Sequence, residues 1–236
     1  MMRRFAALAL ALTALIGAPA SAQVVTETVT VSYEIEVTDD GEDSALPADT
    51  GSDRFVAAAP TQVPRGVAKF GPFRVIDSTH AALVDATDET SPAHFAAMVR
   101  AWPGIATLEM IECPGTYDDR ANLQLGRMIH ARGIATHVPS GGSVRSGAVE
   151  LFLAGKSRTA DPGAEFAVHS WADDTGREAK DYAADAPENR AYIGYYEEMG
   201  LPEGEARAFY AMTNSVPNAS AKWLTAADMG RWVKLD

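Results

Sequence analysis

The sequence predicts an α/β fold: a mostly parallel sheet with crossover helices, in repeated ββα and βαβ units, closed by C-terminal helices. Three observations predict it. From about residue 68, apolar runs of strand length alternate with amphipathic runs of helix length. The connections are short, and an order of βαβαβαβ with short connections demands parallel strands joined by crossovers. Beyond residue 186 the spacing is helical only.

Element by element, Phe73–Ile76 and Ala82–Val84 read as short strands. Ser91-Pro92 opens a helix, with serine as cap and proline in the first turn, and Phe95, Met98 and Val99 form its apolar face. Pro103-Gly104 ends it, and residues 106–112 (ATLEMIE) read as one strand. After the turn CPGT a second helix turns Leu125, Met128 and Ile129 inward and stops at Gly133. Residues 134–138 are another strand, SGGSVRSG a turn, AVELFLAG a helix and residues 165–169 a further strand. Ligands of such sheets sit at the carboxyl ends of the strands. CPGT, SGGSVRSG and His169 all follow strand ends, so they should share one edge. The acidic stretch 172–186 reads as a solvated loop. Helices over 187–200 and 202–213 follow, and a last short one begins near Thr225.

Ahead of this domain (68–236) lie three segments of other character. Residues 1–22 have a secretory pattern: Arg3 and Arg4, an uncharged run from Phe5 to Gly17, and the small-residue site Ala20-Ser21-Ala22. Cleavage before Gln23 and a periplasmic or secreted product are expected. No later run approaches the ~20 apolar residues of a membrane span. Residues 23–38 include a cleanly alternating stretch, with Val29, Val31, Tyr33, Ile35 and Val37 on one face, and read as a strand that needs a partner in the domain or in another subunit. Residues 39–67 read as an acidic flexible linker.

Composition removes several function classes. The formal charge is −12, and loss of the two arginines with an acid-free leader takes it to −14. Nucleic acid and anionic membranes demand a basic footprint instead. A lone cysteine, Cys113, makes no internal disulfide. His80, His94, His130, His137 and His169 have no metal-ligand spacing, no glycine-rich nucleotide motif is present, and no cofactor or metal is expected.

The chemistry therefore concentrates in the turns. Ser146 precedes an apolar helix, the place of a helix cap or of a nucleophile. His169 is either a structural histidine or the base that a serine nucleophile requires. Gly147 offers a backbone N–H at a helix start, where negative charge is favoured, and the Gly115-Thr116 turn offers a second.

These residues, in this order, resemble the Clp protease–crotonase superfamily, and within it the exported Clp-protease-like proteins of bacteria. The resemblance runs over roughly residues 70–175. Ile111-Glu112-Cys113-Pro114-Gly115-Thr116 stands for the family's I-N-S-P-G-G turn, with threonine in place of the second glycine. Gly155 lies nine residues past Ser146, and Val168-His169-Ser170-Trp171 carries the histidine 23 residues past it. The resemblance implies a ClpP/crotonase-like fold and a serine peptidase site. Ser146 would be the nucleophile, His169 the base, and N–H groups of Gly147 and of Gly115 or Thr116 the oxyanion hole. The family's aspartate, ahead of a run like Trp223-Leu224-Thr225, is replaced by Asn218 or Asn214, whose side-chain carbonyl would accept from the imidazole. Arg145 stands where a small residue is expected, and Glu150 is expected to pair with it or to face solvent. Assembly into a homo-oligomer and a peptide or acyl substrate are further implications. Two functions stay open: an exported serine hydrolase, peptidase-like, and a catalytically inactive binding or assembly module on the same fold.

Overall fold

A computed structural model of the chain describes residues 61–236. The expectations for residues 1–60, which cover the leader, the N-terminal strand and most of the linker, lie outside the described residues.

Among the described residues, ten strands form two sheets. The first strands are β1 (Ala68–Phe70), β2 (Phe73–Val75) and β3 (His80–Leu83). Helix α1 (Ser91–Ala101) leads to β4 (Thr107–Met110) and β5 (Glu112–Cys113). Helix α2 (Asp119–Ala131) leads to β6 (Ala135–Val138) and β7 (Ser143–Arg145), and helix α3 (Ala148–Leu153) to β8 (Arg158–Ala160) and β9 (Glu165–Val168). Helices α4 (Pro187–Glu198) and α5 (Glu203–Thr213), strand β10 (Lys222–Thr225) and helix α6 (Ala226–Met229) complete the domain. The larger sheet has the order β1-β2-β3-β4-β6-β8, parallel from β3 onward; the smaller has the order β10-β9-β7-β5, parallel except for β10.

The two sheets are fed by the same segments. Three times the chain leaves a strand of the larger sheet (β4, β6, β8) and enters one of the smaller (β5, β7, β9). The run 106–112 is thus two strands rather than one. It divides at Ile111, whose N–H donates to Leu83 in the larger sheet while its carbonyl accepts from Ser143 of the smaller. One bend satisfies both ladders, as buried backbone groups require. The single expected turn SGGSVRSG likewise contains β7.

The core between the layers is aromatic and aliphatic. Phe152 and Phe166 pack at 5.0 Å between ring centroids, and Phe73 meets Phe95 at 5.8 Å. All four are fully buried, which contributes roughly 1.5–3 kcal/mol for each side chain. Leu125 and Ile129 are buried as expected and Met128 partly so. Ser91 is not the cap of α1. It is the first helical residue, and its hydroxyl donates to Asp88 at 2.8 Å. Cys113 is fully buried, with its thiol donating to the carbonyl of Leu83 at 3.4 Å, and burial pushes that thiol far above its ordinary range. Gly126 of α2 is required by close approach: a Cβ there would stand 1.9 Å from the Tyr195 hydroxyl, which crosses the helix to donate to the carbonyl of Glu150.

This topology sets three parallel strand ends side by side. β5, β7 and β9 are neighbours, and their carboxyl ends release Pro114-Gly115-Thr116, Ser146 and His169.

Candidate active site

Ser146 joins β7 to α3 with a φ of 50°, and among the described residues no other non-glycine residue has a positive φ. For an L-residue this left-handed conformation costs about 1–2 kcal/mol. A capping serine has extended backbone and accepts from the helix N–H groups. Ser146 does neither: the cap of α3 is Gly147, which makes no side-chain cap bond, and Ser146 Oγ makes no hydrogen bond among the described residues. The serine is not a helix cap.

The surroundings fix this turn. The Ser146 N–H donates to Ala167 of β9 at 2.8 Å, and its carbonyl accepts from Val149 at 2.9 Å. Gly115, at φ 133°, lies directly against the serine; a Cβ there would stand 2.9 Å from Ser146 Cβ and 3.3 Å from its Oγ. A Cβ on Gly147 would stand 2.5 Å from Thr116 Cγ2. The two turns can meet this closely only because both positions lack a side chain. The backbone N–H groups of Gly115, Thr116 and Gly147 donate to nothing among the described residues.

A buried side chain that sequence reasoning missed ties the parts together. Asn122 of α2 donates from Nδ2 to the carbonyl of Gly147 at 2.6 Å and accepts at Oδ1 from the Thr87 hydroxyl at 2.9 Å. Thr87 also donates its N–H to the carbonyl of Gly115. The chain Gly115–Thr87–Asn122–Gly147 thus holds both turns from behind. Only the polarity of Asn122 on the apolar face of α2 signals it in the sequence.

His169 and Ser146 line one cleft of about 790 Å³, together with Thr116, Gly147 and Asn218. They are not hydrogen-bonded to each other. His169 Nδ1 lies 2.9 Å from the carbonyl oxygen of Ser170, and Asn218 Nδ2 donates to the same oxygen at 2.8 Å. A carbonyl only accepts, so Nδ1 carries the proton and Nε2 is left as the basic nitrogen. This corrects the expected role of asparagine. The Asn218 amide presents Nδ2, not its oxygen, to Nδ1 at 3.2 Å, and the backbone carbonyl of Ser170 is the acceptor. Asn214 is not at the histidine at all; its side chain binds Trp171 N, the Tyr210 carbonyl and Thr213 Oγ1.

The acidic stretch 172–186 is largely exposed, as expected of a solvated loop, and its first residues also form a wall of the cleft. Trp171, Ala172, Asp173 and Asp174 line the cleft. Trp171 stacks on Tyr192 of α4 at 6.1 Å and 13°, and its indole N–H donates to Tyr210 of α5 at 2.7 Å. Asp173 gathers hydrogens from Tyr182, Thr175 and Arg177, led by the Tyr182 hydroxyl, and its carboxyl is held far below the usual range.

Two acids and one arginine complete the electrostatics. Arg145 does not reach Glu150. Its guanidinium binds Glu112 at 2.7 Å and Ser143 Oγ at 2.8 Å, and Ser143 in turn donates to Glu165. Glu150 neither pairs with arginine nor faces solvent. It is 7% exposed, Oε1 accepts from the Tyr196 hydroxyl at 2.7 Å, and burial pushes its carboxyl up to about 7. Asp119 stands exposed on its helix, yet its carboxyl is raised by desolvation and by neighbouring Asp118, against the lowering effect of Tyr192 and His169. Outside the cleft, His137 lies between Glu109 (2.6 Å) and Asp161 (3.3 Å), and the Glu109 hydrogen bond raises its imidazole to about 9. Among the described residues no three His, Cys, Asp or Glu side chains group as a metal site.

Solved structures similar to this chain include a stomatin-specific protease and a ClpP1 protein. A mutant of the 1510-N membrane-bound stomatin-specific protease, in complex with a substrate peptide, has a TM-score of 0.46 and 12% identity over 67% of this chain and 72% of its own. A ClpP1 mutant from Listeria monocytogenes has a TM-score of 0.45 and 15% identity over 66% of this chain and 88% of its own. The 1510-N membrane protease specific for a stomatin homolog from Pyrococcus horikoshii has a TM-score of 0.43 and 13% identity over 67% and 70%. No family model matches the sequence, and no curated protein is similar to it.

Proposed function

We propose that the protein is an exported serine hydrolase, peptidase-like, with Ser146 as nucleophile and His169 as base. The observation that carries the proposal is the left-handed Ser146 between β7 and α3. Strain of this kind persists only where surrounding structure over-determines it, and it collects at working residues. A strand-to-helix turn of this form exposes a serine hydroxyl while freeing helix-start N–H groups for an oxyanion.

The reaction follows from the atoms available. Ser146 Oγ adds to the substrate carbonyl carbon while His169 Nε2 takes its proton. The oxyanion accepts from Gly147 N–H and from Gly115 or Thr116 N–H. The imidazolium then returns its proton to the departing amine or alkoxide, leaving an acyl-serine, and water repeats the sequence to release the acid. The Ser170 carbonyl sets the tautomer as an aspartate would, but brings no full charge to the imidazolium, so slow turnover is expected.

The test is labelling of the purified protein, residues 23–236, with a fluorophosphonate, read by peptide mass spectrometry. Adduct on Ser146 that is lost in His169→Ala is the expected result. One observation favours the second reading, an inactive binding module: Ser146 and His169 are not hydrogen-bonded. A folded protein whose Ser146 stays unlabelled would establish that reading instead. Export predicts that material recovered from the periplasm or medium begins at Gln23.

A further inference from the structure

We propose that the cleft holds a cation-binding subsite beside Ser146, centred on Glu150, which selects substrates carrying a lysine or arginine side chain. The inference rests on the serine hydrolase reading for its consequence, though not for its geometry.

Glu150 is on α3, the helix that follows the Ser146 turn, and both residues line the same cleft. A substrate whose carbonyl sits at Ser146 therefore has Glu150 within reach of its side chain. The Glu150 carboxyl is more than nine-tenths buried, and it makes no ion pair among the described residues. Tyr196 steadies one oxygen. A buried carboxyl with hydrogen-bond support but no counter-charge is costly unless a cation arrives. An apolar residue would pack there at no electrostatic cost.

The rest of the cleft agrees in sign and shape. Asp118, Asp119, Asp173, Asp174 and Glu188 line it with Glu150, against Arg120 and Arg127. Arg127 is committed to Glu198 by two nitrogens. Convergent charge of one sign in a concave site focuses the field and raises the local concentration of its opposite. Leu123, Ala191, Tyr192 and Tyr196 supply apolar wall for the methylenes of a long basic side chain. Neutral or acidic side chains would leave Glu150 unpaired or repelled.

The test has two arms. Calorimetry with benzamidine, a guanidinium-like cation, is expected to show binding to wild type, at least tenfold weaker binding to Glu150→Gln, and about threefold weaker binding to Asp119→Asn. Wild type that does not bind benzamidine, or a folded Glu150→Gln that binds it equally, overturns the subsite; should that variant fail to fold, Asp119→Asn binding as tightly as wild type does the same. In the second arm, a diphenyl phosphonate bearing a lysine-like side chain is expected to label Ser146 at least tenfold faster than its alanine-like analogue. Fluorophosphonate adduct on Ser146 with no advantage for the basic phosphonate would sink the subsite and leave the hydrolase reading intact. Benzamidine binding that depends on Glu150, with Ser146 inert to every phosphonate, would do the reverse.

Discussion

The two halves of the site are built differently. The serine half is over-determined: β7 is hydrogen-bonded on both sides, Gly115 and Gly147 interlock with Ser146 and Thr116, and Asn122 braces both turns. The histidine half is half-buried, and its ring is oriented by one backbone carbonyl and one exposed asparagine. Positioning without charge sets a base in place but does little to stabilise it once protonated. Should the proposed hydrolase prove slow, the difference lies on the histidine side.

That contrast can be broken most directly at the serine. Ser146→Gly removes the nucleophile and the left-handed strain together. Fluorophosphonate labelling is expected to fall at least a thousandfold, while stability rises by about 1 kcal/mol in urea unfolding. A destabilised Ser146→Gly would mean that the turn is not strained. Next in size is Glu150→Gln. The folded carboxyl titrates near 7 against an ordinary 4.5, so the native state binds more protons between these values and stability falls as pH rises through that window. The glutamine variant is expected to be more stable than wild type by about 3 kcal/mol at pH 8 and by almost nothing at pH 4. A gain that does not depend on pH would show that ionisation is not its source.

Asn122→Ala probes the brace. It strips the Gly147 carbonyl and the Thr87 hydroxyl of a partner, at a cost of about 2 kcal/mol, with slower labelling of Ser146. Labelling at the wild-type rate would remove Asn122 from the site. The smallest change sharpens the other half. Asn218→Asp supplies a carboxylate beside His169 Nδ1, and labelling is expected to quicken about tenfold, or 1.4 kcal/mol. No gain would place the limitation elsewhere than in the missing charge.

The helices, and the strand ends that release Gly115 and His169, were legible because their signals are local: apolar periodicity and the break that follows it. β7 was not. Its Ser143 and Arg145 are polar yet buried, neutralised by Glu165 and Glu112 from neighbouring strands, and that pairing exists only once the sheet has formed. β8 (Arg-Thr-Ala) and β10 (Lys-Trp-Leu-Thr) escaped because each is too short to show an alternating apolar pattern. Glu150 looks in sequence like a solvent-facing helix position, and Asn122 stands on an apolar face with no visible partner, because nothing nearby in the chain announces Tyr196 or Thr87. The acceptor for His169 escaped for a different reason: it is a main-chain carbonyl, and no residue type encodes one.

Cys113 carries a practical corollary. The only thiol in the chain is sealed within the core on β5 and held protonated, so maleimides and methanethiosulfonates should find nothing to react with in the native protein. A cysteine introduced at the exposed Tyr117, at the mouth of the cleft, would then be the sole attachment point for a nitroxide or fluorophore. The wild-type background is already silent, and the motions of the cleft can be followed without first engineering the native cysteine away.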